Sequence, residues 1–335
     1  MIMNMAIACD FCGCYMGITP YDNQSGISFL YRYKSYNGYN IPQQEHHLFP
    51  GKSAISDRSL PGTRSGSAAN PQLKHGSTAA AGTPAQKDYE IYSTFELRAR
   101  YFIQKRTELN VILPYISNRS RTGNELQEAN APGDITLLAS YRLLERTLTE
   151  KFQSRLILGG GIKLPSGNYA IRDNAGGRID CMLQPGTGTT DFLLYVNYIF
   201  SYRKIGLNFN STYKINGENR FNERIGNSST NYLNLFVKLR SGKKLKIFPS
   251  LQAYYEYSNG LFVEGRYQNG TTMNIAMAGP GLDLFYKNIS LNASLQLPVY
   301  EETMPINLSS AGRFMIGISY NFNQVNYLLK SKKSN

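Results

Sequence analysis

Apolar and polar residues alternate with a period of two in about a dozen segments of this chain, and this pattern constrains the fold more than any other feature. In segment 205–216, for example, leucine, phenylalanine, tyrosine and isoleucine interleave with asparagine, threonine and lysine. Successive side chains of a strand point to opposite faces, so each segment predicts a strand with one apolar and one polar face. A closed barrel satisfies many such strands at once, because lipid covers the apolar faces and the interior takes the polar ones.

We predict about twelve strands from these segments. They cover residues 27–36, 88–102, 107–118, 134–144, 152–164, 190–202, 205–216, 231–239, 245–258, 275–286, 289–300 and 313–322. An even number of strands brings both termini to one side, which is the periplasm in bacterial outer-membrane barrels. Short turns then alternate with the longer connections 37–87, 119–133, 165–189, 217–230, 259–274 and 301–312, as periplasmic turns alternate with extracellular loops. The pattern therefore predicts an all-β, closed antiparallel transmembrane barrel in the outer membrane of a Gram-negative cell.

Composition agrees with a membrane barrel and excludes two other classes. No run of eighteen apolar residues occurs, so the sequence predicts no membrane-spanning helix. The formal net charge is +13, but lysine and arginine are spread over turns instead of forming the basic patch of a nucleic-acid binder, so we expect lipid as the partner and no nucleic acid. Many of the 25 tyrosines lie at segment ends, where they favour membrane-interface girdles: Tyr33, Tyr101, Tyr115, Tyr141, Tyr202, Tyr232, Tyr257, Tyr286 and Tyr300.

The inward positions of the predicted strands carry charges of both signs. Arginine or lysine on the lipid face near the bilayer centre costs about 2 to 4 kcal/mol, so the alternation assigns these residues to the lumen. The lumen candidates for solute selectivity are Glu96, Arg98, Arg100, Glu108, Arg142, Lys238, Arg240 and Glu256. Twelve strands lie between the number that side chains fill and the number that leaves open water, so an open and a plugged lumen both fit.

Three further regions flank or interrupt the barrel, which we place at residues 27–322. Residues 1–26 combine a signal remnant with a periplasmic cysteine-rich segment, because the Ala-Ile-Ala sequence at 6–8 precedes Cys9 as small residues precede a signal-peptidase site. Lipidation of Cys9 is a second interpretation. Residues 37–87 are rich in serine, glycine and alanine and predict a disordered extracellular loop. Residues 323–335 form a basic periplasmic tail.

Cys9, Cys12 and Cys14 form the most compact chemical motif of the chain. Three thiolates with this spacing suit a soft ion such as Cu(I), or zinc with Asp10 as a fourth ligand. A local disulfide with one remaining thiol is the alternative in an oxidising periplasm. Cys181 lies in a loop that we predict on the other side of the membrane.

The histidines argue against hydrolase chemistry in the barrel wall. His46, His47 and His75 all fall in the long loop, and a Ser-His-Asp arrangement on the wall needs a histidine on a strand. We therefore expect no enzyme activity.

Several motifs of the chain resemble those of a family of membrane barrels. They are the cysteine-rich start 9–14, segments 95–102, 111–115 and 133–139, the glycine-rich 159–167 and the segment 184–192. By these motifs the chain is similar to outer-membrane β-barrel proteins of Bacteroidetes described as transporters, akin to the family named for the MetA pathway of phenol degradation. The resemblance covers nearly the whole chain and implies a transport barrel without a settled solute. The cysteine-rich start of some relatives implies a metal-associated, copper-linked role.

Two functions follow as hypotheses. The first is a monomeric outer-membrane channel or transporter that passes or binds a small solute or ion through a polar, mixed-charge lumen. The alternative is a non-conducting barrel whose periplasmic cysteine segment handles a soft metal such as copper.

The alternative predicts stoichiometric Cu(I) binding that Cys12→Ser and Cys14→Ser abolish, because thiolates select this ion. Competition with a chromophoric Cu(I) chelator measures the binding, and Cys181→Ser is the matched control. Equal binding by all variants contradicts the metal hypothesis and leaves the channel hypothesis intact.

Overall fold

A computed structural model describes residues 24–38, 88–149, 152–173, 176–241, 244–269, 271–303 and 308–322. The predictions for Cys9, Cys12 and Cys14, for the three histidines, for most of loop 37–87 and for the tail 323–335 lie outside these residues. In the described part of the chain, no helix is long and apolar enough to cross a membrane.

In the described residues, the regular structure consists of seventeen β-strands. They are β1 (Ser25–Gly38), β2 (Tyr89–Phe102), β3 (Thr107–Thr122), β4 (Glu125–Pro132), β5 (Thr136–Thr149), β6 (Phe152–Lys163), β7 (Asp191–Tyr202), β8 (Ile205–Ile215), β9 (Glu223–Ile225), β10 (Ser228–Val237), β11 (Leu239–Ser241), β12 (Leu245–Ser258), β13 (Leu261–Val263), β14 (Arg266–Tyr267), β15 (Met273–Tyr286), β16 (Ile289–Thr303) and β17 (Leu308–Phe322).

Twelve long strands form one closed antiparallel barrel. Their order around the barrel is β10-β8-β7-β6-β5-β3-β2-β1-β17-β16-β15-β12, and β12 pairs back with β10. The first and last strands pair in register, with Ile27 opposite Tyr320 and Lys34 opposite Arg313. The predicted closed barrel of about twelve strands is thus confirmed. We call the end with connections 103–106, 203–204 and 287–288 the tight-turn end, and the opposite end the loop end.

The alternating residues of each segment lie on the inward and outward faces of the barrel wall. In β8, Asn208 and Lys214 are fully buried, whereas Tyr213 and Ile215 are exposed on the outer face. Large apolar side chains are likewise exposed on every barrel strand from β1 to β17, as a lipid-facing surface requires.

Several predicted loop boundaries were wrong because polar strands continue beyond the apolar band. Residues 119–133 are not a loop: β3 and β4 form a hairpin through Gly123, whose φ of 60° suits glycine. β16 extends to Thr303 and β17 begins at Leu308, so the predicted loop 301–312 was too long at both ends. The predicted loops 217–230 and 259–274 contain β9, β13 and β14, which form a small separate sheet.

The outward face of β12 offers a test of the membrane location. Leu251, at the middle of this strand, is 63% exposed, so Leu251→Arg places a charge in hydrocarbon and lowers the free energy of unfolding in bilayers by about 2 to 4 kcal/mol. Tyr286→Arg, at the tight-turn end of β15, is the matched control and costs about 0 to 1 kcal/mol. Urea titration in lipid vesicles measures both, and equal costs at the two positions contradict the location.

Candidate functional site

The barrel interior is the candidate site, and an ionic cluster on β1 and β2 lies in it. The Glu96 carboxylate accepts hydrogen bonds from the Arg32 guanidinium and, at 2.6 Å, from Arg98 Nε. Arg32 and Glu96 are buried, and Arg98 is only slightly exposed. Because one carboxylate serves two guanidinium groups, the cluster carries a net positive charge.

The predicted residues Arg100, Glu108 and Arg142 also lie inside, nearer the tight-turn end. Arg100 Nη2 donates to the neutral amide oxygen Oδ1 of Asn321 at 3.1 Å. Glu108 accepts from Ser140 Oγ at 2.8 Å and from the Asn110 amide. Arg142 Nη1 donates to Glu145 at the barrel rim, at 3.0 Å.

The other three predicted residues, Glu256, Lys238 and Arg240, differ in their surroundings. Glu256 is fully buried, 3.5 Å from Lys34 Nζ, and accepts a 2.6 Å hydrogen bond from the Tyr254 hydroxyl. Lys238 lies at the tight-turn end and donates to Ser201 Oγ at 2.6 Å. The backbone of Arg240 pairs with Lys246, and its side chain lies outside the described residues.

Charged side chains concentrate on one side of the lumen, which we call the charged arc: β17, β1, β2, β3, β5 and β6. Toward the tight turns, inward arginines outnumber buried carboxylates there. Among the described residues, the inward arginines from the level of Arg32 to the tight turns are Arg32, Arg98, Arg100, Arg142 and Arg155, and the buried carboxylates of these strands at the same levels are Glu96 and Glu108. This side of the lumen therefore carries more positive than negative side chains among the described residues.

Carboxamide side chains occupy the opposite side. Asn234 on β10 stands directly opposite Asn208 on β8 and Gln252 on β12 in the strand register. The exposed fractions are 0% for Asn208, 0% for Asn234 and 2% for Gln252. Three neighbouring strands thus present three buried amides side by side.

Hydrogen bonds extend this line at both ends. Asn197 Nδ2 donates to Asn208 Oδ1 at 2.7 Å, and Gln296 Nε2 donates to Gln252 Oε1 at 3.2 Å. Gln252 reaches Gln296 across β15 because Gly281 has no side chain, and a Cβ atom there would overlap the Gln252 amide. We call Asn197, Asn208, Asn234, Gln252 and Gln296 the carboxamide row.

Several polar atoms of the carboxamide row have no hydrogen-bond partner among the described residues. They are both side-chain polar atoms of Asn234, Nδ2 of Asn208 and Oε1 of Gln296. An unpaired buried polar atom costs about 1 to 3 kcal/mol, and most buried polar groups in proteins are paired. Sequence reasoning gave these amides no role, because it considered only charged residues as selectivity candidates.

The interior is not polar throughout. At the loop end, inward residues of β10, β12, β15 and β17 form an apolar cluster that includes Tyr232, Tyr254, Met273, Ile275, Met277 and Met315. At the tight-turn end, Phe236, Phe248 and Phe285 pack together. Tyr232 was assigned to an interface girdle from its position at a segment end, and this was wrong, because even-numbered residues of β10 point inward.

The connection between β6 and β7, residues 164–190, enters the loop end of the barrel, and we call it the inserted loop. Its Met182 packs into the apolar cluster of β10 to β17. The neighbouring Leu183, with Ile179, packs against Tyr36 and Tyr92 on the other side of the barrel. Asn118 Nδ2 donates to the Leu183 carbonyl at 3.1 Å. Adjacent loop residues therefore contact both sides of the wall.

Buried ionic contacts anchor the base of the inserted loop. Lys163 Nζ lies 2.9 Å from Asp134 and 2.7 Å from Asp191, and all three side chains are almost fully buried. Asp134 also accepts hydrogen bonds from the backbone amides of Gly167 and Thr187 at 2.9 and 2.8 Å. Through these contacts Lys163, at the end of β6, is linked to the segment before β5, to the base of the inserted loop and to the start of β7.

The tip of the inserted loop is fixed by a second set of contacts. Arg178 makes a bidentate ion pair with Glu223 at 2.7 and 2.6 Å.

Two titratable residues of the inserted loop are buried. Burial raises the pKa of Asp180 above its usual range and raises the pKa of the Cys181 thiol well above its usual range. Cys181 is a free thiol packed against the apolar cluster at the loop end. In the described residues, no group of three or more His, Cys, Asp or Glu side chains is arranged to hold a metal ion.

Comparisons with known proteins place the fold. No protein-family model and no curated protein match the chain. The crystal structure of the COG4313 outer membrane channel from Pseudomonas putida F1 is similar over 92% of this chain and 98% of that chain, with 15% identity and a TM-score of 0.59. The β domain of the Bordetella autotransporter BrkA (89% and 100% covered, 10% identity, TM-score 0.46) and the monoaromatic hydrocarbon channel CymD (90% and 89% covered, 9% identity, TM-score 0.32) are more distant. The fold is that of Gram-negative outer-membrane barrels.

The anchor of the inserted loop predicts a stability effect. Lys163→Met removes the cation that contacts the buried carboxylates of both Asp134 and Asp191, so we expect the free energy of unfolding to fall by about 3 to 5 kcal/mol. Proteolysis within residues 164–190 accelerates as the loop loosens. Lys204→Met, in an exposed tight turn, is the matched control and changes neither. Unchanged unfolding and proteolysis in Lys163→Met contradict the anchoring role.

Proposed function

We propose that the protein is an outer-membrane channel that passes small organic anions. The observation that carries this proposal is the closed barrel with inward arginines in excess along one side of the lumen. A lumen with this charge concentrates anions and disfavours cations. The proposal includes no catalytic step and no nucleic-acid partner. The predicted selectivity residues Glu96, Arg98, Arg100, Glu108, Arg142, Lys238, Arg240 and Glu256 remain candidates for this role.

The likeness in fold to the Pseudomonas putida channel supports transport, because that protein is described as an outer membrane channel. We propose the same family relationship that the sequence motifs imply, with a monomer in the outer membrane and both termini in the periplasm. The loop end is then extracellular.

The inserted loop controls entry in this proposal. It packs against β1 and β2 on one side and against β10 to β17 on the other, so it lies across the mouth of the barrel. A solute that enters from the loop end passes when the loop shifts. The Lys163 anchor holds the base of the loop in place during that shift.

Planar-bilayer recordings of the reconstituted full chain test the channel. Wild-type protein conducts in KCl, and its reversal potential under a salt gradient shows a preference for chloride over potassium. Arg98→Gln with Arg100→Gln reduces this preference because two lumen charges are lost, while Arg32 still pairs with Glu96. Arg119→Gln, on an exposed ion pair of the β3–β4 hairpin, is the matched control and leaves the preference unchanged.

Two results contradict the proposal. One is the absence of conductance from folded, membrane-inserted wild-type protein. The other is a reversal potential that does not move when Arg98 and Arg100 are neutralised together.

A further inference from the structure

We propose that the carboxamide row is a solute-recognition site, and that it selects organic anions whose uncharged part carries several hydroxyl groups. Sugar acids are the class that fits. The inference rests on the proposed channel function and adds the chemistry of the solute to it.

The first argument is the hydrogen-bonding capacity of the row. Each carboxamide both donates and accepts, and the row is nearly inaccessible to solvent. Its unpaired atoms are of both kinds: Nδ2 of Asn208 and Asn234 donate, and Oδ1 of Asn234 and Oε1 of Gln296 accept. A hydroxyl group also donates and accepts, so a chain of hydroxyl groups satisfies such a row. An alkyl chain leaves the amides unpaired.

The second argument is the pair of aromatic layers beside the row. Toward the loop end, Tyr232 stands opposite Tyr254 in register, one inward position from Asn234 and Gln252. Toward the tight turns, Phe236 stacks on Phe248 with ring centroids 5.6 Å apart and an angle of 11° between the planes. Hydroxyl-bearing carbons have apolar C–H faces, and aromatic side chains adjoin the amides on both sides along the strands, as sites for such carbons require.

The third argument is that the carboxamide row leads directly into positive charge. Gln296 stands opposite Arg313 in register, and Arg313 stands opposite Lys34. The Arg313 guanidinium lies over the Tyr254 ring, 4.4 Å from its centroid. A carboxylate held at Arg313 extends its hydroxyl-bearing chain along Gln296, Gln252 and Asn234. This arrangement favours a solute with one acidic end and a neutral, hydroxylated body.

The glycine at position 281 of β15 supports the interpretation of the carboxamide row as a binding site. Gly281 gives the Gln252 side chain its route to Gln296, and the row keeps four polar atoms without a partner among the described residues, at a cost in stability. Apolar residues of similar size would remove that cost. The presence of amides at these positions therefore agrees with a solute that forms hydrogen bonds with their unpaired atoms.

The test compares gluconate with hexanoate, which have the same number of carbons and the same charge but differ in hydroxyl groups. Bi-ionic reversal potentials against chloride give the permeability of each anion through the reconstituted full chain. Wild-type protein prefers gluconate. Asn234→Leu and Gln252→Leu lower the gluconate-to-hexanoate ratio about tenfold, the effect of one lost hydrogen bond of ordinary strength.

Asn231→Leu is the matched control, because it makes the same substitution on the outward face of the same strand. Its gluconate-to-hexanoate ratio equals that of the wild type. Chloride conductance of every variant shows that the barrel is inserted and folded. Gln296→Leu is a second variant at the other end of the row and lowers the ratio in the same direction.

The outcomes separate the two proposals. A wild-type protein that conducts chloride but passes hexanoate as readily as gluconate overturns the recognition site and leaves the channel standing. The recognition site is also overturned if all three inward variants conduct chloride with an unchanged ratio. A folded wild-type protein without any conductance overturns the channel itself.

Discussion

The pairing of β1 with β17 is the constraint on which the rest of the structure depends. Hydrocarbon offers no hydrogen-bonding partners, so every backbone group of a membrane-spanning strand must be paired within the protein. The register from Ser25 opposite Phe322 to Gly38 opposite Leu308 closes the ring of twelve strands and leaves no free edge. Closure also defines an inside, and the ionic cluster and the carboxamide row lie at inward-facing positions.

Buried polar groups of the interior have different partners on different sides of the barrel. On the charged arc, the Glu96 carboxylate accepts hydrogen bonds from two arginines, although such a buried cluster adds little net stability. The inserted loop uses Lys163 in the same way, between two carboxylates. The carboxamide row carries no formal charge and leaves atoms of Asn234 unpaired among the described residues. The same wall thus contains an ionic side, where charged groups contact one another, and a neutral side, where amides lie side by side.

The period-two pattern indicates the face of a strand on which a residue lies, but not its partners. Glu256 was placed inside from its parity on β12, yet its contact with Lys34 joins residues 222 positions apart. The inserted loop was missed because Met182 and Leu183 lie in a segment without alternation, and only the finished barrel has two apolar surfaces to receive them. The hairpin of β3 and β4 was missed because its polar residues look like those of a loop.

The sequence by itself determined that this chain forms two-faced strands and which side chains face the lumen, because the period of two is a local property of extended backbone. Only the tertiary structure decided which inward side chains meet. Register and closure bring Asn208, Asn234 and Gln252 side by side and set them next to Gln296 and Arg313. These neighbours come from five different strands, and their proximity depends on pairing that no local pattern encodes.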